Sequence, residues 1–111
     1  MFPRQPPTVP EIDTDGLAAA LADGAPLVDV RMPDEYAEVR VPGAVLIPLP
    51  ELGARSAEVP SDRRVYVICA TGARSAAAVD ALNKAGWDTV NVTGGTKAWA
   101  AEGRPVDSGP A

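Results

Sequence analysis

Residues 64–68 read Arg-Val-Tyr-Val-Ile. A run so short, β-branched and almost wholly apolar does not alternate between core and water. It suits a strand covered on both faces, as strands in parallel sheets are. Covering both faces requires helices on either side, and the chain supplies them between further short apolar runs. Strands are expected at 26–30, 44–47, 64–68 and 89–92. Helical patterns separate them. "TDGLAAALADG" (14–24) has Thr14 as N-cap, apolar residues at 17, 20 and 21, and Gly24 as its stop. "MPDEYAEV" (32–39) places Pro33 and several acids in a first turn. "PELGARS" (50–56) suits one or two helical turns. "SAAAVDALNKAG" (75–86) has Ser75 as N-cap and apolar residues at 78, 79 and 82, and "TKAWAAEG" (96–103) closes at Gly103. Strands alternating with helices through Gly-containing connections indicate an α/β domain with a mostly parallel sheet.

The chain has 111 residues, which fits one domain, and no repeat or internal boundary is visible. A chain of this size buries roughly 65% of its unfolded surface, enough for one core without staples. A net charge of −5 with 10 basic residues and few aromatics argues against nucleic acid as a partner. With no His and one Cys, a soft-ligand metal site is not expected. The single Cys also rules out an internal disulfide and suits a reducing, cytoplasmic compartment. The N-terminus lacks the apolar core of a signal peptide, and no window approaches a membrane-spanning length. Residues 1–9, with three prolines among the first seven, are expected to form a flexible leader, and 107–111 a flexible tail around a 10–106 domain. No heptad or apolar stripe marks a subunit interface, so a monomer is the default.

The lone Cys69 follows the apolar strand. A cysteine at such a place is most simply an inert core residue. The next six residues argue otherwise: "ATGARS" (70–75) is small and flexible, so successive N–H groups can turn inward, backed by a helix N-terminus. Such a cradle favours the thiolate, the nucleophilic form. Ala70, Thr71, Gly72, Ala73 and Ser75 would line it, and Arg74 would grip an oxyanion at its rim. Phosphatases that work through a cysteinyl phosphate place five residues between Cys and Arg. Here four intervene, 70 to 73, which gives a smaller ring better matched to a terminal sulfur.

Three segments in order resemble the rhodanese-like (sulfurtransferase) family: "LVDVRMPDEYAEVRVPGAVLIPL" (27–49), "VYVICATGARSAAAVDAL" (65–82) and "GWDTVNVTGGTKAWAAEGRPV" (86–106). The resemblance covers roughly residues 10–106. It implies a three-layer rhodanese-like fold, with about five short, mostly parallel strands and helices on both faces. It also implies a thiosulfate sulfurtransferase-like transferase without cofactor or metal. Cys69 would take sulfane sulfur from a small anionic donor such as thiosulfate and hold it as a persulfide. The sulfur would then pass to cyanide, a thiol or a sulfur-carrier protein. Two other readings stay open: a weakly active or non-enzymatic sulfur-carrier module, and a Cys-dependent arsenate reductase or phosphatase. Two departures stand out. Val39 and Arg40 replace the family's usual Gly-His before Pro-Gly-Ala, and Thr71 stands where thiosulfate-specialised members often carry a cation.

Near the expected active face, Asp29 and Arg31 suit a structural ion pair. Glu35 is a first-turn helix acid within reach of Arg31 or the pocket rim. Arg40 is expected as a solvated surface arginine. Gly94 and Gly95 suit a tight turn, and Trp99 a core anchor for the last helix.

Overall fold

The computed structural model describes residues 8–110, so the expected leader lies outside the described residues as far as residue 7. Five strands form one sheet: β1 (Glu11–Ile12), β2 (Leu27–Asp29), β3 (Val45–Leu46), β4 (Val65–Ile68) and β5 (Thr89–Val92). Their order is β1-β5-β4-β2-β3, and every pairing is parallel. Four of the strands lie within or at the segments expected. The fifth, β1, has only two residues and pairs with the outer side of β5.

Strand alternation divides the core. Val65, Val67 and Cys69 face one side with Val28 and Val30, under Ala78, Val79 and Leu82 of helix α3 (Ala73–Lys84). Tyr66 and Ile68 face the other with Leu27 and Val92. That side is covered by α1 (Thr14–Ala22), α2 (Pro33–Glu38) and α4 (Gly95–Ala101), through Leu17, Tyr36 and Trp99. The result is three layers, with the central strand apolar on both faces as its sequence requires. Trp99 anchors α4 as expected, and its indole N–H donates to Pro105 O at 2.7 Å. No helix among the described residues is long and apolar enough to cross a membrane.

Several local expectations are corrected. The N-cap of α1 is Asp13, which accepts from the Gly16 N–H at 2.8 Å; Thr14 is already helical, buried, and donates to Glu102 Oε1. The one or two helical turns expected over 50–56 are two short 3-10 turns, Leu49–Glu51 and Ser56–Glu58, set slightly outside that segment at both ends. Helix α3 starts at Ala73, with Gly72 rather than Ser75 as its N-cap. The left-handed backbone of Gly72 (φ 113°) turns the chain into the helix early, and Ser75 is left on an inward-facing first turn. Within the expected 107–111 tail, Asp107 and Gly109 make backbone hydrogen bonds to the chain around the end of α2. Arg40 and Asp107 exchange backbone hydrogen bonds at 2.9 and 3.0 Å, and the Gly109 N–H donates to Ala37 O.

Between β5 and α4 the chain turns on Gly94 and Gly95, both with positive φ. At Gly95 space matters as much as φ. A Cβ there would lie 2.5 Å from Ala70 O and 2.6 Å from Cys69 O, both rigid backbone atoms. Gly95→Ala is therefore expected to cost about 3 kcal/mol or more. Gly24→Ala, also at positive φ but in open space, is expected to cost only about 1 kcal/mol. Urea unfolding of the two variants checks the difference; equal costs would refute the steric role of Gly95.

Candidate active site

In a parallel sheet the strands' carboxyl ends share one edge, and ligands bind beyond it. Because β4 lies between β2 and β5, that edge brings together Asp29 and Arg31, the loop from Cys69, and the turn at Gly94 and Gly95. Helix α4 holds the Cys69 loop from outside. The amides of Thr96 and Lys97 donate to Cys69 O and Ala70 O at 2.9 and 3.0 Å. In a trans peptide the carbonyl and the following N–H point in opposite directions. With both carbonyls drawn toward α4, the N–H groups of Ala70 and Thr71 are aimed away from it.

Cys69 is 1% exposed. Its Sγ accepts from the Gly72 N–H at 3.1 Å and lies 3.2 Å from the Ser75 hydroxyl. Burial pushes the thiol up. The Ser75 hydroxyl, then the backbone N–H groups of Ser75, Gly72 and Thr71, pull it down by more, and the thiol titrates below its ordinary value. The stabilising partners on the loop are neutral dipoles at the first turn of a 12-residue helix. Of the loop residues named from sequence, Thr71, Gly72 and Ser75 therefore bear on the thiol directly. Ala70 forms the wall toward α4, and Ala73 opens the helix on its exposed side.

Arg74 is not a free cation over this loop. Both terminal nitrogens donate to Glu35, at 2.7 and 2.8 Å, in a bidentate pair that is about one-third exposed. Glu35 also accepts from the Met32 N–H at the start of α2. It thus joins the first turns of α2 and α3 across the mouth of the loop. The Arg74 hydrogen bonds, opposed by burial and aided by Met32, hold the Glu35 carboxyl down to about 2. Asp29 and Arg31 form the expected ion pair, buried and bidentate, with Nε 3.0 Å from Oδ1 and Nη2 2.8 Å from Oδ2. Arg31 also donates to Glu35 O and Val39 O, closing the C-terminal carbonyls of α2. Every guanidinium nitrogen of Arg31 is occupied, which supports a framework role. Arg40, expected in solvent, stacks 4.5 Å over Tyr36 and donates to Tyr36 O and Gly109 O. Its absence from the site reflects that clip.

A cavity of about 320 Å³ opens beside the loop, bounded by Arg31, Glu35, Val39, Ala70, Thr96 and Lys97. Two participants escaped sequence reading. Asn91 on β5 lies 2.5 Å from Ser75 Oγ, although its place in an apolar strand was a visible signal. The α4 amides gave no signal, since backbone groups leave no residue-type trace.

The profile of the rhodanese-like domain matches residues 13–102, and the chain belongs to that family. It is 41% identical over 101 residues to a sulfurtransferase of Allochromatium vinosum, covering 88% of this chain and 94% of the relative. A rhodanese-related protein from Thermoplasma volcanium superposes with a TM-score of 0.83 at 35% identity, covering 88% of this chain and 97% of that one. A thiosulfate sulfurtransferase from Pseudomonas aeruginosa gives 0.82 at 32% identity, over 93% of this chain but only 21% of its own length.

A carboxylate whose folded pKa lies below its unfolded one stabilises the fold above the unfolded pKa, and that stability is lost as pH falls through the folded pKa. The stability difference between the protein and Glu35→Gln is therefore expected to be constant from neutrality to about pH 5 and to shrink toward about pH 2. Urea midpoints measured across that range check it. A difference independent of pH would refute the ion pair's contribution.

Proposed function

We propose that this rhodanese-like chain is a sulfurtransferase that carries sulfane sulfur on Cys69. The observation that carries the reading is the thiol at the focus of N–H and O–H donors where β4 meets α3. The thiol first loses its proton to solvent. The thiolate then attacks the outer sulfur of a donor such as thiosulfate; the donor's S–S bond breaks and sulfite leaves with the bonding pair. The new Cys69 S–S bond carries the negative charge on its outer sulfur, within reach of the loop amides. An acceptor attacks that sulfur and restores the thiolate: cyanide leaves as thiocyanate, a thiol as its persulfide. No metal or organic cofactor enters the sequence of bonds. Arg74 helps by attracting the donor's oxyanion, which competes with Glu35 for the guanidinium.

A second reading is favoured by that same pair. With Arg74 held by Glu35 and Thr71 uncharged, the rim offers a small dianion little net charge. The sulfur then comes from or goes to a protein partner, and the chain acts as a sulfur carrier with slow turnover on small donors.

Intact-mass measurement after incubation with thiosulfate is expected to show the gain of one sulfur atom. The gain should be absent in Cys69→Ala and discharged by cyanide as thiocyanate. Persulfide formation without turnover would favour the carrier reading; no modification by any sulfane donor would overturn both. Arg74→Ala is expected to lower kcat/KM for thiosulfate roughly tenfold, as loss of one charge-assisted contact does, while the urea midpoint falls no further than in Glu35→Gln, which breaks the same ion pair but keeps the cation. Equal loss of both would assign Arg74 to the fold alone.

A further inference from the structure

Ser75 and Asn91 are both buried, at 0% and 2% exposure, and they meet behind Cys69. The Ser75 hydroxyl lies 2.5 Å from Asn91 Oδ1 and 3.2 Å from Cys69 Sγ. It has one hydrogen for these two acceptors. Asn91 cannot relieve the conflict by turning its amide over. Its Nδ2 donates to Gly72 O at 3.2 Å, and the flipped amide would set two carbonyl oxygens against each other. Gly72 N–H in turn donates to Cys69 Sγ. With the thiol protonated, the four groups close a ring. Cys69 S–H donates to Ser75 Oγ, Ser75 O–H to Asn91 Oδ1, Asn91 Nδ2–H to Gly72 O, and Gly72 N–H to Sγ.

Ionisation breaks this ring at one place. The thiolate has no hydrogen to give, and Ser75 must rotate its own toward Sγ. Asn91 Oδ1 is then left buried without that donor, at a cost. We propose that Asn91 is a positioning residue that competes with Cys69 for the Ser75 hydroxyl hydrogen, so that this hydrogen follows the charge on the inner sulfur. On the sulfurtransferase reading, on which the catalytic consequence rests, charge leaves the inner sulfur when the persulfide forms. The hydrogen returns to Asn91, and the ring's preference for an uncharged inner sulfur favours moving the charge to the outer one. Asn91 thereby keeps the thiolate from being over-stabilised where it must react.

The charged groups facing this site are Arg74 on α3, Glu35 and Glu38 on α2, Asp29 at the end of β2 with Arg31 just beyond it, and Lys97 on α4 across Ala70. None is altered by changes at Ser75 or Asn91. The test is the pH profile of Cys69 alkylation by iodoacetamide in the full chain, which needs no sulfur donor. Asn91→Val is expected to shift the midpoint to lower pH by roughly one unit, as gain of an uncontested hydrogen bond by the charged form does. Ser75→Ala is expected to shift it upward. In the Ser75→Ala background, Asn91→Val should produce no downward shift, because the hydrogen under competition is gone. An unchanged or higher midpoint in folded Asn91→Val overturns the proposal, and so does an equal downward shift in both backgrounds. If Asn91→Val does not fold, the side-chain amide signals of Asn91 in the ¹⁵N-labelled protein decide. They should move at the Cys69 midpoint and cease to do so in Ser75→Ala; signals that do not move, or move alike in both, overturn it. These readouts concern the reduced thiol, so they stand whether or not a persulfide forms.

Discussion

Two backbone hydrogen bonds and one missing side chain hold the loop on which the site depends. The first amides of α4 take the carbonyls of Cys69 and Ala70. They reach them only because position 95 has no Cβ to occupy the space in between. That grip comes from outside the loop, so the N–H groups of Thr71, Gly72 and Ser75 are left to act on the sulfur. Sheet order makes it possible. With β5 beside β4, the turn leaving β5 arrives against the loop leaving β4. A small parallel sheet thus supplies what the short loop cannot hold alone, a fixed aim for several peptide dipoles.

The two arginines at the site are bound to carboxylates rather than offered to a ligand. Arg31 is spent on Asp29 and the end of α2, and Arg74 on Glu35. What lowers the Cys69 thiol against its burial is a set of neutral donors. The distinction has a chemical meaning. A cation in contact with a thiolate ties the charge to one sulfur, and it would also attract any anion. Dipoles converging on a small ring hold a charge of either sulfur in turn, since the outer atom of a persulfide lies only one S–S bond, about 2 Å, from the inner.

The fold was legible because its pattern is dominated by burial. "RVYVI" has no polar face, and a segment without one needs cover on both sides, which decides the layer count. The site was legible in part, and its failures share a cause. Ser75 looked like an N-cap because residue type marks a cap, whereas the true start of α3 is a backbone conformation at Gly72. Arg74 looked free because its partner, Glu35, is 39 residues away on another helix. Arg40 looked solvated because the residues it clips, Tyr36 and Gly109, are brought together only by the fold. Local pattern shows which groups are present; it does not show which have already been paired.

Asn91 illustrates the limit most clearly. In "TVNV" it is a polar residue in an otherwise β-branched, fully buried strand, and buried polar groups need partners. Strand parity predicts that Asn91 shares its face with α3, opposite to Val90 and Val92, so the side of the sheet was readable. Its meaning lies in a count of hydrogens. Ser75 brings one, and Asn91 and Cys69 both need it whenever the thiol is ionised. A network satisfied in one protonation state and short by one donor in the other is not a packing defect. It sets a preference between charge states of the sulfur, and a nucleophile that must give up its charge is where such a preference acts on chemistry.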